Sequence, residues 1–194
     1  WYQRLPAPAR EQIGQYAMQS ARGMSAFIER EDASGALCLQ TLRELQEYCF
    51  VVAGLVGEML TELFLLGRPR LVEVAAELRA RAARFGEGLQ LVNILKDAEA
   101  DARAGRRYLP AALPLREVFG LAEADLRAAA EYNDLLRGAG VEHGLRSRAR
   151  ILAARLHLLD EDAYRALRRR VGRRTTARCR EHREREHDQP QRTH

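Results

Sequence analysis

Asp97 and Asp101, in the stretch KDAEAD, are carboxylates four residues apart, which on a helix places them one turn apart on one face. Two such charges repel unless something positive lies between or opposite them. A divalent cation removes that cost, and Mg²⁺ is normally held by one or two carboxylates together with waters and phosphate oxygens. The pair therefore reads as half of a site for a magnesium diphosphate complex, although a bare D-x-x-x-D is more often a solvated helix face paired with arginines. Its neighbours favour a ligand. Gly86, Gln90, Asn93, Asp97 and Asp101 follow at spacings of 4, 3, 4 and 4 and draw one polar stripe along the helix. Lys96 adjoins Asp97, and Gly105, Arg106 and Arg107 stand where the chain must leave the helix before Pro110. Arginines at that exit can reach a diphosphate with two parallel hydrogen bonds.

The second stretch with chemical content is TLRELQEYCFVVAGLVGEMLTELFLL, Thr41 to Leu66. Thr41 and Glu44 form a capping box for the helix that follows. Tyr48 opens the apolar run; it is a candidate hydroxyl with a π face suited to a cationic intermediate, set against the plainer role of a core tyrosine. Ala53, Gly54 and Gly57 leave nearly bare backbone in mid-helix, a cost that close approach of another helix or a bulky ligand would offset. Cys49 reads as a small buried hydrophobe, since no histidine lies near it in sequence.

These residues need helices to position them. Pro6 and Pro8 read as helix stops, and about Arg10 to Arg30 as a helix with Ile13, Tyr16, Ala17, Met24, Phe27 and Ile28 as packing positions. EDASG, Glu31 to Gly35, is a turn. Gly67 to Pro69 break the chain, and Leu71 to Ala104 resume as the long helix bearing the polar stripe, with Leu89, Val92 and Leu95 as apolar surface. A connector with Pro110 and Pro114 leads to helices over about Glu123–Arg137 (packing through Leu126, Ala130, Tyr132 or Asn133, and Leu136), Leu145–Leu159 and Glu161–Val171. No alternating pattern of useful length, G-x-G-x-x-G or P-loop occurs. The fold class is all-α: residues 1–171 form a helical domain with its cavity between the Tyr48 and Asp97 helices, and 172–194 a charged tail expected to be disordered, whose His182 and His187 are solvated.

Composition removes several other classes. The 194 residues are 46% hydrophobic and 30% charged, enough for one core. Three cysteines without C-x-x-C spacing favour a reducing compartment over a disulfide scaffold or structural zinc. No consecutive apolar run approaches a span, Glu58 and Glu62 interrupt the longest one, and the first residues do not form a signal peptide, so a cytoplasmic chain is expected. The net charge of +5 comes from dispersed arginines rather than one stripe, which argues against nucleic acid as a partner.

YCFVVAGLVGEM at Tyr48 to Met59 and GLQLVNILKDAEADARAGRRYLP at Gly88 to Pro110 resemble the two signature segments of the squalene and phytoene synthase family, the head-to-head prenyl synthases. GMSAFIERE at Gly23 to Glu31 is similar to the segment before the tyrosine helix in squalene synthases. The resemblance spans roughly Gly23 to Val118. It implies an isoprenoid-synthase-like helical array, incomplete relative to the family. It also implies a Mg²⁺-dependent transferase that joins two farnesyl diphosphates into presqualene diphosphate and squalene, or two geranylgeranyl diphosphates into phytoene, with NADPH needed if squalene is the product. On this resemblance Asp97 and Asp101 are the second aspartate motif, binding Mg²⁺ that bridges to diphosphate. Gln90 and Asn93 line the same face, and Tyr48 matches the tyrosine assigned to proton removal or carbocation stabilisation. Lys96 takes a position commonly arginine, and Arg106, with Arg107, matches the basic exit that contacts diphosphate.

The family's first D-x-x-x-D has no counterpart before Tyr48, where Asp32 stands isolated. A chain that begins at Trp1 is expected to lack its natural beginning. The alternative is a catalytically incomplete homologue, a helical module that binds lipid or protein. Peripheral membrane association and a partner chain covering absent helices are the partners this leaves open beside the prenyl diphosphate.

Overall fold

A computed structural model of the chain describes residues 2–31, 37–110 and 113–141. The turn residues 32–36 with Asp32, the expected helices Leu145–Leu159 and Glu161–Val171, the boundary at 171 and the tail lie outside the described residues. Within them the architecture is all-α: α1 Ala7–Ile28, α2 Leu42–Cys49, a π-helical turn Phe50–Gly54, α3 Leu55–Gly67, α4 Ala75–Arg103 and α5 Leu115–Gly138. Two 3₁₀ turns, Tyr2–Arg4 and Pro69–Leu71, precede α1 and α4.

Pro8 does not stop a helix; it starts one. It lies in the first turn of α1, where its missing N–H would have had no partner, and Pro6 is the N-cap. Of the packing positions expected in α1, Phe27 is buried and Ile13, Tyr16 and Met24 are half-buried, but Ala17 and Ile28 are exposed. The capping box is real: Glu44 N–H donates to Thr41 Oγ1 at 3.1 Å, and the Glu44 carboxylate accepts from Gln40 N–H at 2.6 Å. α5 begins at Leu115, well before the expected Glu123, because Pro114 presets its entry. In it Leu126, Tyr132 and Leu136 are buried, Asn133 is half-buried and Ala130 is exposed.

The chain from Leu42 to Gly67 is continuous helix but not uniform α-helix. Leu55 N–H bonds the Phe50 carbonyl, five residues back, and Ser20 of α1 donates its hydroxyl to the Val51 carbonyl at 3.0 Å. This 26-residue helix is long and apolar enough to cross a membrane by length and composition, which counting consecutive apolar residues did not reveal. One of its acids ties it to α4. Glu62 takes a two-pronged bond from Arg79 of α4, at 2.7 and 2.9 Å.

The glycines in mid-helix are helix contacts, as bare backbone suggested. A Cβ on Gly57 would lie 2.1 Å from the Ala82 carbonyl oxygen, and one on Gly86 1.9 Å from that of Ala53. The π turn, α3 and α4 therefore cross backbone to backbone, and no cavity fits at that crossing. Gly86, read as the first member of the polar stripe, is instead a buried packing position.

Two clusters fill the interior. One joins Phe27, Leu37, Leu39, Leu45, Tyr48, Cys49, Leu91, Ile94, Leu95, Leu109, Val118 and Ala122. The other joins Leu71, Leu78, Ala82, Phe85, Ala129, Tyr132 and Leu136. Each fully buried leucine contributes about 2 kcal/mol. Full burial along α4 ends at Leu95; beyond it Ala98 still packs on the first cluster, Asp97 and Asp101 are half-buried and Lys96 is exposed.

Candidate functional site

Asp101 ends α4 in a way that fixes its surroundings. Gly105 adopts φ +83°, Arg106 N–H bonds the Asp101 carbonyl at 2.9 Å and Gly105 N–H bonds that of Ala102 at 3.3 Å. This is a Schellman close, and glycine at that position is what allows it. The turn swings the Arg106 side chain back onto the same aspartate: Nη2 and Nε lie 3.0 and 3.3 Å from Asp101 Oδ1. The chain then pairs as a short parallel bridge with the segment between α1 and α2, Arg107 N–H to Leu37 O at 2.9 Å and Leu39 N–H to Arg107 O at 3.1 Å. Leu109 and Pro110 are buried just beyond.

Tyr48 is 6% exposed. Phe27 meets its ring edge-on at 5.3 Å, and Tyr108 stacks on it at 4.8 Å with the planes 27° apart. Burial, then a polar contact with the Tyr108 hydroxyl, then the nearby Cys49 and Asp101, hold the Tyr48 proton on well above the usual phenol range. Tyr48 is thus held as a neutral hydroxyl at the carboxylate end of α4.

Asp97 meets Lys96 Nζ at 3.5 Å, and its side chain is 47% exposed against 19% for Asp101. Gln90 is half-buried and Asn93 exposed, both upstream on the same side of α4. The structure therefore brings Tyr48, Asp101 and Arg106 to one end of the molecule, with Asp97 and Lys96 beside them, whereas Arg107 is fixed there through its main chain. Among the described residues, no group of three or more His, Cys, Asp or Glu side chains could hold a metal. Two carboxylates with solvent access suit Mg²⁺, which completes its shell with water and phosphate oxygens; they do not make an all-protein cage.

Two features escape sequence reasoning. One is Tyr108, two residues beyond Arg106 in the R-x-Y-x-P ending, where that spacing is the signal that could have found it. The other is an acid pair behind the site, buried Asp125 and half-buried Glu87. Asp125 of α5, 2% exposed, takes a 2.7 Å bond from Arg84 Nε on one oxygen and has no partner among the described residues on the other. Burial raises Asp125 despite that arginine. Burial, with Asp125 and Glu58 nearby, pushes Glu87 up to about 7 against the opposing pull of Arg84. Burial, with Glu87 and Asp125 nearby, keeps Cys49 a thiol, as expected of a small buried hydrophobe. Away from the aspartates, at the start of α4, an open cleft of about 500 Å³ is lined by Arg70, Glu73, Arg81, Glu131 and Asp134 among others.

The sequence profile described as squalene/phytoene synthase matches residues 4–194. A squalene synthase of Gibberella zeae is 37% identical over 112 residues, 55% of this chain and 23% of that protein. A phytoene synthase of Thermus thermophilus is 39% identical over 94 residues, 48% of this chain and 29% of its own. A squalene synthase of Cyberlindnera jadinii is 28% identical over 167 residues, covering 86% of this chain and 35% of the relative. The chain thus spans about a quarter to a third of the length of these relatives.

Proposed function

Because the chain belongs to the squalene/phytoene synthase family, we propose that the protein it comes from joins two prenyl diphosphates head to head. The substrate is farnesyl diphosphate, giving presqualene diphosphate and squalene, or geranylgeranyl diphosphate, giving phytoene. The observation that carries the reading is the meeting of Asp101, its Arg106 partner and the buried Tyr48 at one end of α4.

Asp97 and Asp101 are the residues that would hold Mg²⁺, which when bound supplies positive charge to a diphosphate leaving group. Arg106 and Lys96 add cationic donors at the same end, and Arg106 offers the planar fork that matches phosphate oxygens. Gln90 and Asn93 supply amides that orient the substrate along α4. Tyr48, neutral and backed by two aromatic rings, presents a π face and a hydroxyl to a developing allylic cation. The half-buried apolar side chains of the π turn and α3, among them Val52 and Leu60, exclude water that would otherwise quench that cation. The apolar helix Leu42–Gly67 also suits peripheral attachment to a membrane, where an isoprenoid product would collect.

The test is to incubate the full-length natural gene product with farnesyl or geranylgeranyl diphosphate and Mg²⁺, with and without NADPH, and to identify products by mass spectrometry. Squalene, its cyclopropyl precursor or phytoene is the expected result. A well-folded protein that turns over neither diphosphate overturns the reading. It would favour a non-catalytic helical module.

A further inference from the structure

The polar contact that burial leaves to the Tyr48 hydroxyl comes from a residue with no role so far. Phe27 confines Tyr48 through ring edges alone and offers nothing to its hydroxyl. Tyr108 covers the ring, centroids 4.8 Å apart and planes 27° apart, and its hydroxyl is near enough to help hold the Tyr48 proton on. Tyr108 is itself held from two sides. Before it stand the Schellman close of α4, with Arg106 folded onto Asp101, and the main-chain bridge of Arg107 to Leu37 and Leu39; after it come the buried Leu109 and Pro110. A ring fixed by main chain on both sides is a rigid template for the ring stacked on it.

We propose that Tyr108 is a positioning residue for Tyr48: its stacked ring, held by the turn that closes α4, sets the place and direction of the Tyr48 phenol relative to the Asp101–Arg106 end of α4. The consequence for turnover rests on the reading of the site given above. Tyr108 need not touch substrate. It makes the aspartate turn and the tyrosine one mechanical unit, so that a shift of either displaces the other.

The experiment uses the full-length protein in two readouts. In the first, tyrosine rings are labelled with ¹³C and the Tyr48 signals assigned by their loss in Tyr48→Phe. Tyr108→Leu removes the ring current of the stacked neighbour and is expected to move those signals, whereas Tyr108→Phe keeps the stack and is expected to move them far less. In the second, Tyr108→Phe is expected to lower kcat by up to about tenfold but no further than Tyr48→Phe does, with KM within about twofold, and the Tyr48→Phe/Tyr108→Phe double variant to fall no lower than Tyr48→Phe alone. Tyr48 signals unmoved by Tyr108→Leu overturn the proposal, as do a kcat in Tyr108→Phe below that of Tyr48→Phe or losses that add in the double variant. If the wild-type protein turns over neither diphosphate, the functional reading falls by itself and the ring signals alone decide the positioning: moved signals support it and unmoved signals overturn it. Tyr108→Phe keeps the ring volume, so the kinetic arm does not depend on Tyr108→Leu folding.

Discussion

Gly86 of α4 faces the carbonyl of Ala53 so closely that a methyl group on it would lie 1.9 Å from that oxygen. Neither partner is a flexible side-chain end, so the two helices would have to separate. Gly86→Ala is expected to destabilise the intact protein by about 3 kcal/mol or more, with Gly57→Ala close behind. Gly120, in α5 with nothing within 4 Å of where a methyl group would sit, is the control: Gly120→Ala should stabilise by about 0.5–1 kcal/mol. Thermal or urea unfolding of the three variants measures this. A Gly86→Ala protein as stable as the parent would mean that the helices do not cross as described.

The second cluster offers a smaller, separable effect. Thr61 donates its hydroxyl to the Gly57 carbonyl at 2.9 Å and lies 2.8 Å from the Tyr132 hydroxyl, both groups buried. Tyr132→Phe leaves the first bond in place and removes the second, at a cost of about 1 kcal/mol. Thr61→Val removes both bonds and leaves the buried Tyr132 hydroxyl without this partner, so it should cost more. Equal losses in urea melts of the two variants would contradict this division.

Glu87 gives stability a pH dependence whose sign is unusual for a carboxylate. Its folded-state value is pushed up to about 7 from the ordinary 4.5, so between those limits the folded protein binds more protons than the unfolded chain. Stability contributed by this group is therefore largest at and below about pH 4.5 and declines as pH rises to 7, where the charge must be carried near Asp125 and Glu58 with only Arg84 opposing. Glu87→Gln should be more stable than the parent at pH 8 by about 1 kcal/mol, discounted for partial exposure, and little different at about pH 4.5. Urea melts at the two pH values decide it; a variant less stable at pH 8 would show that ionised Glu87 has a partner.

Much of this arrangement was legible in the sequence. Periodic apolar positions reveal α1, α4 and α5 because burial follows the helical repeat, and Thr41 with Glu44 marks a start because the bonds are local. Gly105 before two arginines marks the exit of α4 for the same reason. What could not be read depends on residues far apart in sequence. Gly86 has the spacing of the polar stripe, and only the approach of Ala53 makes it a packing position. Glu87 and Asp125 look like surface acids until α4 and α5 pack. The π turn hides in an ordinary apolar run because its register is set by the crossing and by Ser20, and Pro8 looks like a breaker unless the helix is known to begin at Ala7. Tyr108 carries no signal by itself; its meaning comes from the bridge that returns the exit of α4 to the α1–α2 connection and so onto Tyr48.

The carboxylate pair predicts metal-dependent binding. Titration calorimetry of the intact protein with a non-hydrolysable prenyl diphosphate analogue should show affinity that Mg²⁺ strengthens, and an Asp97→Ala, Asp101→Ala double variant should lose all of that metal-dependent gain. Asp101→Ala also frees Arg106, so that single variant should keep weak metal-independent attraction for diphosphate, while Asp97→Ala should not gain it. Equal binding with and without metal would remove Asp97 and Asp101 as metal ligands.

Tyr48 predicts a separation of stability from turnover. Its hydroxyl lies near Tyr108 while its ring packs on Phe27 and the core, so Tyr48→Phe should cost about 1 kcal/mol or less and leave the fold intact. The ring, with its π face, remains. A cation stabilised by that face would leave turnover in Tyr48→Phe within a few-fold of the parent, whereas a proton handled at the hydroxyl would reduce it by about 10²-fold or more. Because burial holds the Tyr48 proton on, the hydroxyl can act as a base only if a neighbour accepts as it gives, and the groups at that end are Tyr108 and Asp101. Tyr48→Leu removes ring and hydroxyl together. If it abolishes turnover while Tyr48→Phe does not, Tyr48 acts through its π face; if both abolish it, the hydroxyl is required; and turnover unchanged in both removes Tyr48 from the chemistry.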